Sequence, residues 1–379
     1  MQFVFLAVVL VLYGFLNYYI GLRGLQSIST LIPINHMVYW GIIIIVSMIF
    51  FADMLLKKYL PEKLERVLNT IGGYWLAAFV YLLSFVVIID IFRLIGRKLN
   101  IMPDILKNNA WFAAFAVILV VAVTLAAGTY YAIAPRITGY DIVIGKRAGS
   151  MTELRCAMIS DVHLGEIVRK DRLKAAVEHI NSLEPDIVVF TGDLFDNAVE
   201  PVARDNMLEE LKGIKSKFGA YAIMGNHEHY SGSVDVITRM IESNGVTVLR
   251  DKVVKINDSF YLVGREDKAG RQFGFERVKL DTLLDGTDKS LPVIVLDHQP
   301  SGLEEPRKAG VDLQLSGHTH GGQFFPISLV TDRIFEEDNG YLKDGNFNLV
   351  VSSGYGTWGP SVRLGSQSEI VDLKIKFSK

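Results

Sequence analysis

The chain has 379 residues, 50% of them apolar and 21% charged, with a mean hydropathy of +0.29. A formal net charge of -2 argues against binding of a nucleic-acid polymer, which calls for a basic excess or face. The single cysteine, Cys156, excludes an internal disulfide, and its apolar surroundings predict a buried, inert thiol.

Residues 1–135 hold few charges. Four windows, 1–22, 24–52, 67–89 and 108–135, contain no Lys, Arg, Asp or Glu. Each includes an apolar run close to the ~20 residues needed to cross about 30 Å of hydrocarbon. Spans are predicted near 2–20, 37–56, 73–94 and 110–132, as helices, because backbone polar groups in lipid must pair within their own segment. Tyr18, Tyr19, Trp40, Trp75, Trp111, Tyr130 and Tyr131 fall near the span ends, where amphipathic rings settle at headgroup level. Asp53 and Asp90, near Lys57 and Arg93, are expected at the interface rather than inside it. Residues 136–150, with Gly139, Gly145 and Gly149, read as a linker.

From Met151 the pattern becomes short apolar strands alternating with helices. Strands are predicted at 154–159, 186–190, 220–224, 292–296 and 313–315, with helices at 171–182, 206–215 and 234–243. This is an α/β pattern, and 151–379 is long enough for one catalytic domain with an ample core.

The chemistry sits where the strands end. The five strands run in turn into Asp161-Val162-His163, Gly192-Asp193, Gly225-Asn226-His227-Glu228, Asp297-His298 and Gly317-His318-Thr319-His320. Ligands in α/β folds gather at the carboxyl ends of strands. Carboxylate, imidazole and amide without thiolate suit divalent Mn, Fe or Zn. The candidates outnumber the four ligands of a single structural zinc. They suit a two-metal centre that clamps a phosphoryl group and activates water.

The ordered string D-x-H, G-D, G-N-H-E, H, G-H-T-H resembles the calcineurin-like metallophosphoesterase superfamily over about 154–375. The extended GHTHGGQ of residues 317–323, the SGYGTWG of residues 353–359 and Arg363 resemble the branch that holds bacterial membrane-associated phosphodiesterases and the vertebrate transmembrane protein with a metallophosphoesterase domain. The resemblance implies a four-layer α/β/β/α sandwich with two mixed sheets. It implies one metal held by Asp161, His163 and His320, and a second by Asn226, His298 and His318. Asp193 would bridge the two, and His227 would stand over the phosphoryl group, to protonate the leaving oxygen or stabilise the transition state. Manganese is favoured. Some relatives in that branch are linked to cleavage of UDP-diacylglucosamine.

Other residues have competing readings. Glu228, Asp196 and Asn197 either orient ligands or are solvated loop residues. His229 is expected at the surface, His179 on a helix face and His36 near a span end. Arg363 either grips a substrate phosphate or forms a structural ion pair. Asp297 is expected to point away from the site. Leu164, Ile167, Val168, Phe324, Phe325, Ile327 and Leu329 either line an apolar mouth or close the core.

The function expected is a membrane-anchored metal-dependent phosphohydrolase acting on a phosphodiester or pyrophosphate, with a lipid-linked substrate as the leading reading, and with the lipid bilayer and a phosphorylated small-molecule or lipid substrate as its partners. A phosphodiesterase for soluble nucleotides and a membrane-tethered sensor without turnover are the alternatives. The localisation expected is a multi-pass cell membrane protein. Lys57, Lys58, Lys63, Arg66, Arg136, Lys146 and Arg147 fall on the side of the catalytic domain, and Arg23, Arg93, Arg97, Lys98 and Lys107 on the other. Seven against five leans towards the cytoplasm, while the resemblance points outward, so both sides stay open.

Overall fold

A computed structural model describes residues 2–56, 59–101 and 110–378. Lys57, Lys58 and Lys107 of the charge count lie outside them. The chain divides into two compact units. The first is Met1–Thr129 with Gly359–Val362, and the second is Tyr130–Trp358 with Arg363–Lys379.

The first unit holds helices α1 (Gln2–Ile28), α2 (His36–Leu56), α3 (Glu62–Lys98) and most of α4 (Ala110–Ile133). All four are long and apolar enough to cross a membrane. At 1.5 Å per residue, the 21 residues of α2 measure about 31 Å, close to a hydrocarbon core. The 37-residue α3 exceeds its predicted span, because the charged segments 62–66 and 93–98 continue the same helix. Asp53 has a partner on the next helix. It is buried and accepts from Asn69 Nδ2 at 3.2 Å, so α2 and α3 share a polar contact. Asp90 pairs with Arg23 at 2.7 Å rather than with Arg93.

The second unit contains two six-stranded sheets. In chain order the strands are β1 (Arg136–Arg147), β2 (Glu153–Ile159), β3 (Ile187–Thr191), β4 (Ala220–Ile223), β5 (Val246–Val248), β6 (Lys252–Ile256), β7 (Phe260–Gly264), β8 (Val293–Leu296), β9 (Leu313–Ser316), β10 (Gly340–Asp344), β11 (Phe347–Val351) and β12 (Glu369–Ser378). One sheet runs β1-β12-β2-β3-β4-β5 and the other β10-β11-β9-β8-β7-β6.

Period-two side-chain alternation builds the layers. On β2, Leu154, Cys156 and Met158 face inward and pack with Leu262, Leu296, Leu313 and Val350 of the other sheet. Ala157 and Ile159 face outward, under Leu173, Ala176 and Ile180 of helix α5 (Lys170–Ser182). Val263, Val295 and Leu349 of the second sheet form another outer cluster with Leu280 and Leu303. The result is a four-layer α/β/β/α sandwich.

Residues 136–150 are not a linker. β1 pairs in parallel with β12 from Arg136↔Glu369 to Ile144↔Phe377, with Ile142 and Ile144 buried. Its glycines masked a strand whose one covered face needs only a few apolar residues. Only Ala134 and Pro135 separate α4 from it. The last turn of α4 belongs to the second unit: Arg172 donates to Ala132 O at 3.1 Å and also to Ile133 O, and Ser368 N donates to Tyr131 O at 3.1 Å.

Candidate metal centre

Strands β2, β3 and β4 are parallel neighbours, as are β7, β8 and β9, so within each sheet their carboxyl ends emerge together. The loop after β2 carries Asp161 and His163, that after β3 Asp193, and that after β4 Asn226 and His227 on the short helix α6 (Asn226–Tyr230). The loop after β8 carries His298, and that after β9 His318 and His320.

The backbone of these loops is unusual. Asp161, His163, Asp193, His318 and His320 all have positive φ and make up five of the twelve such non-glycine residues among those described. A left-handed conformation costs an L-residue about 1–3 kcal/mol and persists where the surroundings over-determine it. Here it turns side chains back over the strand ends. Two glycines allow close approach: a Cβ on Gly225 would overlap the Asp193 carboxylate, and one on Gly317 would overlap Ser160 and Asp161.

The side chains form three overlapping groups whose donor atoms lie within 4.8 Å of one another: Asp161, His163 and His320; His163, Asp193 and His227; and Asp193, His298 and His318. The His163 and His320 Nε2 atoms are 3.1 Å apart, and Asp161 Oδ1 is 3.5 Å from the latter. His298 Nε2 lies 3.1 Å from Asp193 Oδ2 and 3.2 Å from Asn226 Oδ1. His298 Nδ1 donates to Thr191 O at 2.7 Å, which fixes the tautomer and leaves Nε2 as a ligand.

Electrostatics favour His318 and His320 as donors. Burial, then the neighbouring His298, lowers His318 to about 4. Burial, then His163, takes His320 well below its usual value. Both rings are therefore neutral at physiological pH, the form that binds metal. Asp193 and His298 form an opposed pair. Burial alone would discharge both, but His298 holds Asp193 low and Asp193 holds His298 high. Converging, buried, acceptor-rich donors of this kind fit a pair of divalent ions.

The residue next to His227 has a structural task. Buried Glu228 accepts from the backbone N–H of Gly225 at 2.7 Å, Phe195 at 2.8 Å and Asp193 at 3.1 Å, tying two ligand loops together. Asp196 O accepts from His227 Nδ1 at 2.9 Å, while the Asn197 side chain reaches only Asp196. Asp297 points away, to Arg277. His179 bonds Ala175 O on its own helix.

His229 is not at the surface. It is fully buried, with Nε2 2.8 Å from Glu266 Oε1. Alternation along GNHEHY gave no sign of this, because the covering partner comes from the later segment 266–275. Of the expected mouth residues, Leu164 and Val168 are core and Ile167 packs on it. Phe325, Ile327 and Leu329 are exposed, and Phe324 is half-buried.

Residues 154–322 match the model of the Calcineurin-like phosphoesterase family. An uncharacterized metallophosphoesterase from Helicobacter pylori (strain J99) is 30% identical over 360 residues, covering 94% of each chain. The chain belongs to the calcineurin-like phosphoesterase family. Membership makes it a metal-dependent phosphoesterase. The zebrafish (Danio rerio) transmembrane protein with metallophosphoesterase domain is 26% identical over 353 residues, covering 89% of this chain and 80% of its own. An uncharacterized metallophosphoesterase from Aquifex aeolicus is 37% identical over 233 residues, 59% of this chain and 86% of its own. The first two matches reach into the apolar helices as well as the phosphoesterase.

Proposed function

We propose that this protein is a membrane-anchored phosphohydrolase that uses two divalent metal ions, manganese favoured, to cleave a phosphodiester or pyrophosphate bond in a lipid-linked substrate. The observation that carries the reading is the overlap of three donor groups through His163 and Asp193. Asp161, His163 and His320 would hold one ion and Asn226, His298 and His318 the other, with Asp193 shared between them. When bound, such a pair supplies Lewis acidity to a phosphoryl group and lowers the pKa of water.

The chain's own residues do the rest. Glu228 fixes the backbone around Asp193 and Gly225. His227 Nδ1 is occupied by Asp196 O, which leaves Nε2 to give a proton to the leaving oxygen. Four apolar helices support anchoring in a bilayer, since one already suffices for effectively irreversible insertion. The two-residue step from α4 to β1 supports a catalytic unit held near lipid.

Metal analysis and turnover test this reading. Chelation is expected to abolish hydrolysis of bis-p-nitrophenyl phosphate, and Mn to restore it. Asp193→Ala should disrupt both sites, and Asn226→Ala should empty mainly the second. Activity that persists with fewer than one metal per chain would overturn the mechanism.

A further inference from the structure

Two aromatic rings stand open to solvent, Tyr230 beside His227 and Phe273 beside Tyr230. Tyr230 is 50% exposed and Phe273 44%. Tyr230 follows His227 by three residues on α6, so the two share a helix face, with ring centroids 5.9 Å apart. Phe273 ends the turn Lys268–Phe273, and its ring lies 6.1 Å from that of Tyr230 at 57°.

A single exposed ring needs no explanation, but this pair is held by buried polar groups. His229 is sealed beneath it, 2.8 Å from Glu266 and 6.4 Å from the Phe273 ring. Arg250 Nε holds the other Glu266 oxygen at 2.7 Å. A Cβ on Gly270 would come within 2.9 Å of His229 Cε1, so the turn carrying Phe273 sits directly on the imidazole. Burying ionisable groups carries a desolvation cost. What this cluster fixes is the place of two rings that are themselves left uncovered.

We infer that Tyr230 and Phe273 form the leaving-group subsite, and that the group they take is planar and aromatic: the base of a nucleoside phosphate. The inference rests on the proposed role of His227. In the hydrolysis, a water oxygen bonds to phosphorus, the P–O bond to the leaving group breaks, and the His227 proton goes to the departing oxygen. Whatever is attached to that oxygen leaves past the neighbours of His227. Two tilted ring faces suit stacking with any base, because every base presents a π face.

Binding to the Mn-loaded full-length protein in detergent tests this, by titration calorimetry with UMP, AMP, ribose 5-phosphate and phosphocholine. The nucleotides should bind at least about tenfold more tightly than ribose 5-phosphate, from base stacking. Tyr230→Ala and Phe273→Ala should each cut that ratio to within about threefold, whereas Tyr230→Phe, which keeps the ring, should preserve it. Equal binding of nucleotides and ribose 5-phosphate by the unaltered protein would overturn the inference. So would a ratio unchanged in the alanine variants, or a preference for phosphocholine. Hydrolysis of bis-p-nitrophenyl phosphate, measured in parallel, reports separately on the phosphohydrolase reading. A preserved nucleotide preference without hydrolysis would keep the subsite and sink the enzyme mechanism.

Discussion

Arg363 Nη2 lies 3.1 Å from Nδ1 of His320. A guanidinium has five N–H donors and no acceptor, and its contact with this ring nitrogen holds the imidazole in place. The other donors go to Gly356 O, Ser353 O and Ser366 Oγ. All five are used within a fully buried side chain, which leaves none for a substrate phosphate. Burial lowers the group to about 10, so it stays charged at neutral pH. It is neither a phosphate clamp nor a carboxylate pair but a positioning residue for His320.

The first prediction follows from that knot. Lysine offers its donors from one point, and methionine offers none. Arg363→Lys and Arg363→Met should free His320 and leave buried carbonyls unpaired, at about 1–3 kcal/mol per group. Thermal melting should fall, and metal content should drop towards one per chain. Unchanged melting and metal content in both variants would show that the knot is incidental.

His227 makes a second prediction. Burial pulls its pKa down, but the Asp196 carboxylate, 3.3 Å from Nδ1, and the charge of Asp193 outweigh this and raise it to about 9. A proton donor with a raised pKa is competent below that value and is lost as pH rises through it. Bound cations oppose the protonated ring, so the alkaline limb of kcat should fall below about pH 9. His227→Ala should keep both metals, lose that limb and lose about 10²–10⁴-fold in turnover. The loss should be smaller for a p-nitrophenyl ester than for an alkyl ester, which depends more on protonation. Identical losses for the two would contradict proton donation.

The metal-ligand candidates were legible because each follows a short apolar strand, and strand ends in parallel sheets share a rim. The apolar helices were legible from composition alone. What escaped the sequence depends on partners distant along the chain. β1 is half-exposed, glycine-containing and stabilised by β12, more than 200 residues later. His229 is buried by a turn some 40 residues on, and Arg363 spends its donors on backbone carbonyls that no motif encodes. Asp53 stands at the end of a charge-free window, and only the pairing of α2 with α3 gives it Asn69.

A third prediction comes from β1. A fragment beginning at Pro135 retains the strand and should fold and bind metal without lipid. One beginning at Ser150 loses two buried isoleucines, Ile142 and Ile144, worth about 1.5–3 kcal/mol each. It also leaves β12 as an open edge, a template for aggregation. Solubility and melting temperature of the two fragments decide the matter. Equal stability would mean that β1 adds nothing to the catalytic fold.

The last prediction concerns lipid. Helix α7 (Ser328–Ile334), which starts eight residues after the proposed ligand His320, buries none of its residues. Leu329, Val330 and Ile334 are exposed on it, and Phe325 and Ile327 are exposed just before it. A helix that contributes nothing to its own core is stabilised by whatever its apolar side chains meet, and each such side chain removed from water is worth about 1.5–3 kcal/mol. If the substrate is embedded in a bilayer, this segment can seat at the lipid surface while the headgroup reaches the metals. The double variant Leu329→Asp, Ile334→Asp should then reduce cleavage of a nucleotide-linked diacyl lipid in vesicles by about tenfold or more. Cleavage of a water-soluble ester by the same variant should change by less than about twofold, since neither residue touches the donor groups and surface substitutions are usually mild. The fragment from Pro135, freed of α1 to α4, should also favour the soluble ester relative to the full chain. The comparison is made as a ratio of rates on the two substrates, which cancels differences in protein quality. A ratio that stays the same in the variant and in the fragment would remove the case for a lipid-linked substrate and leave a soluble phosphodiester in its place.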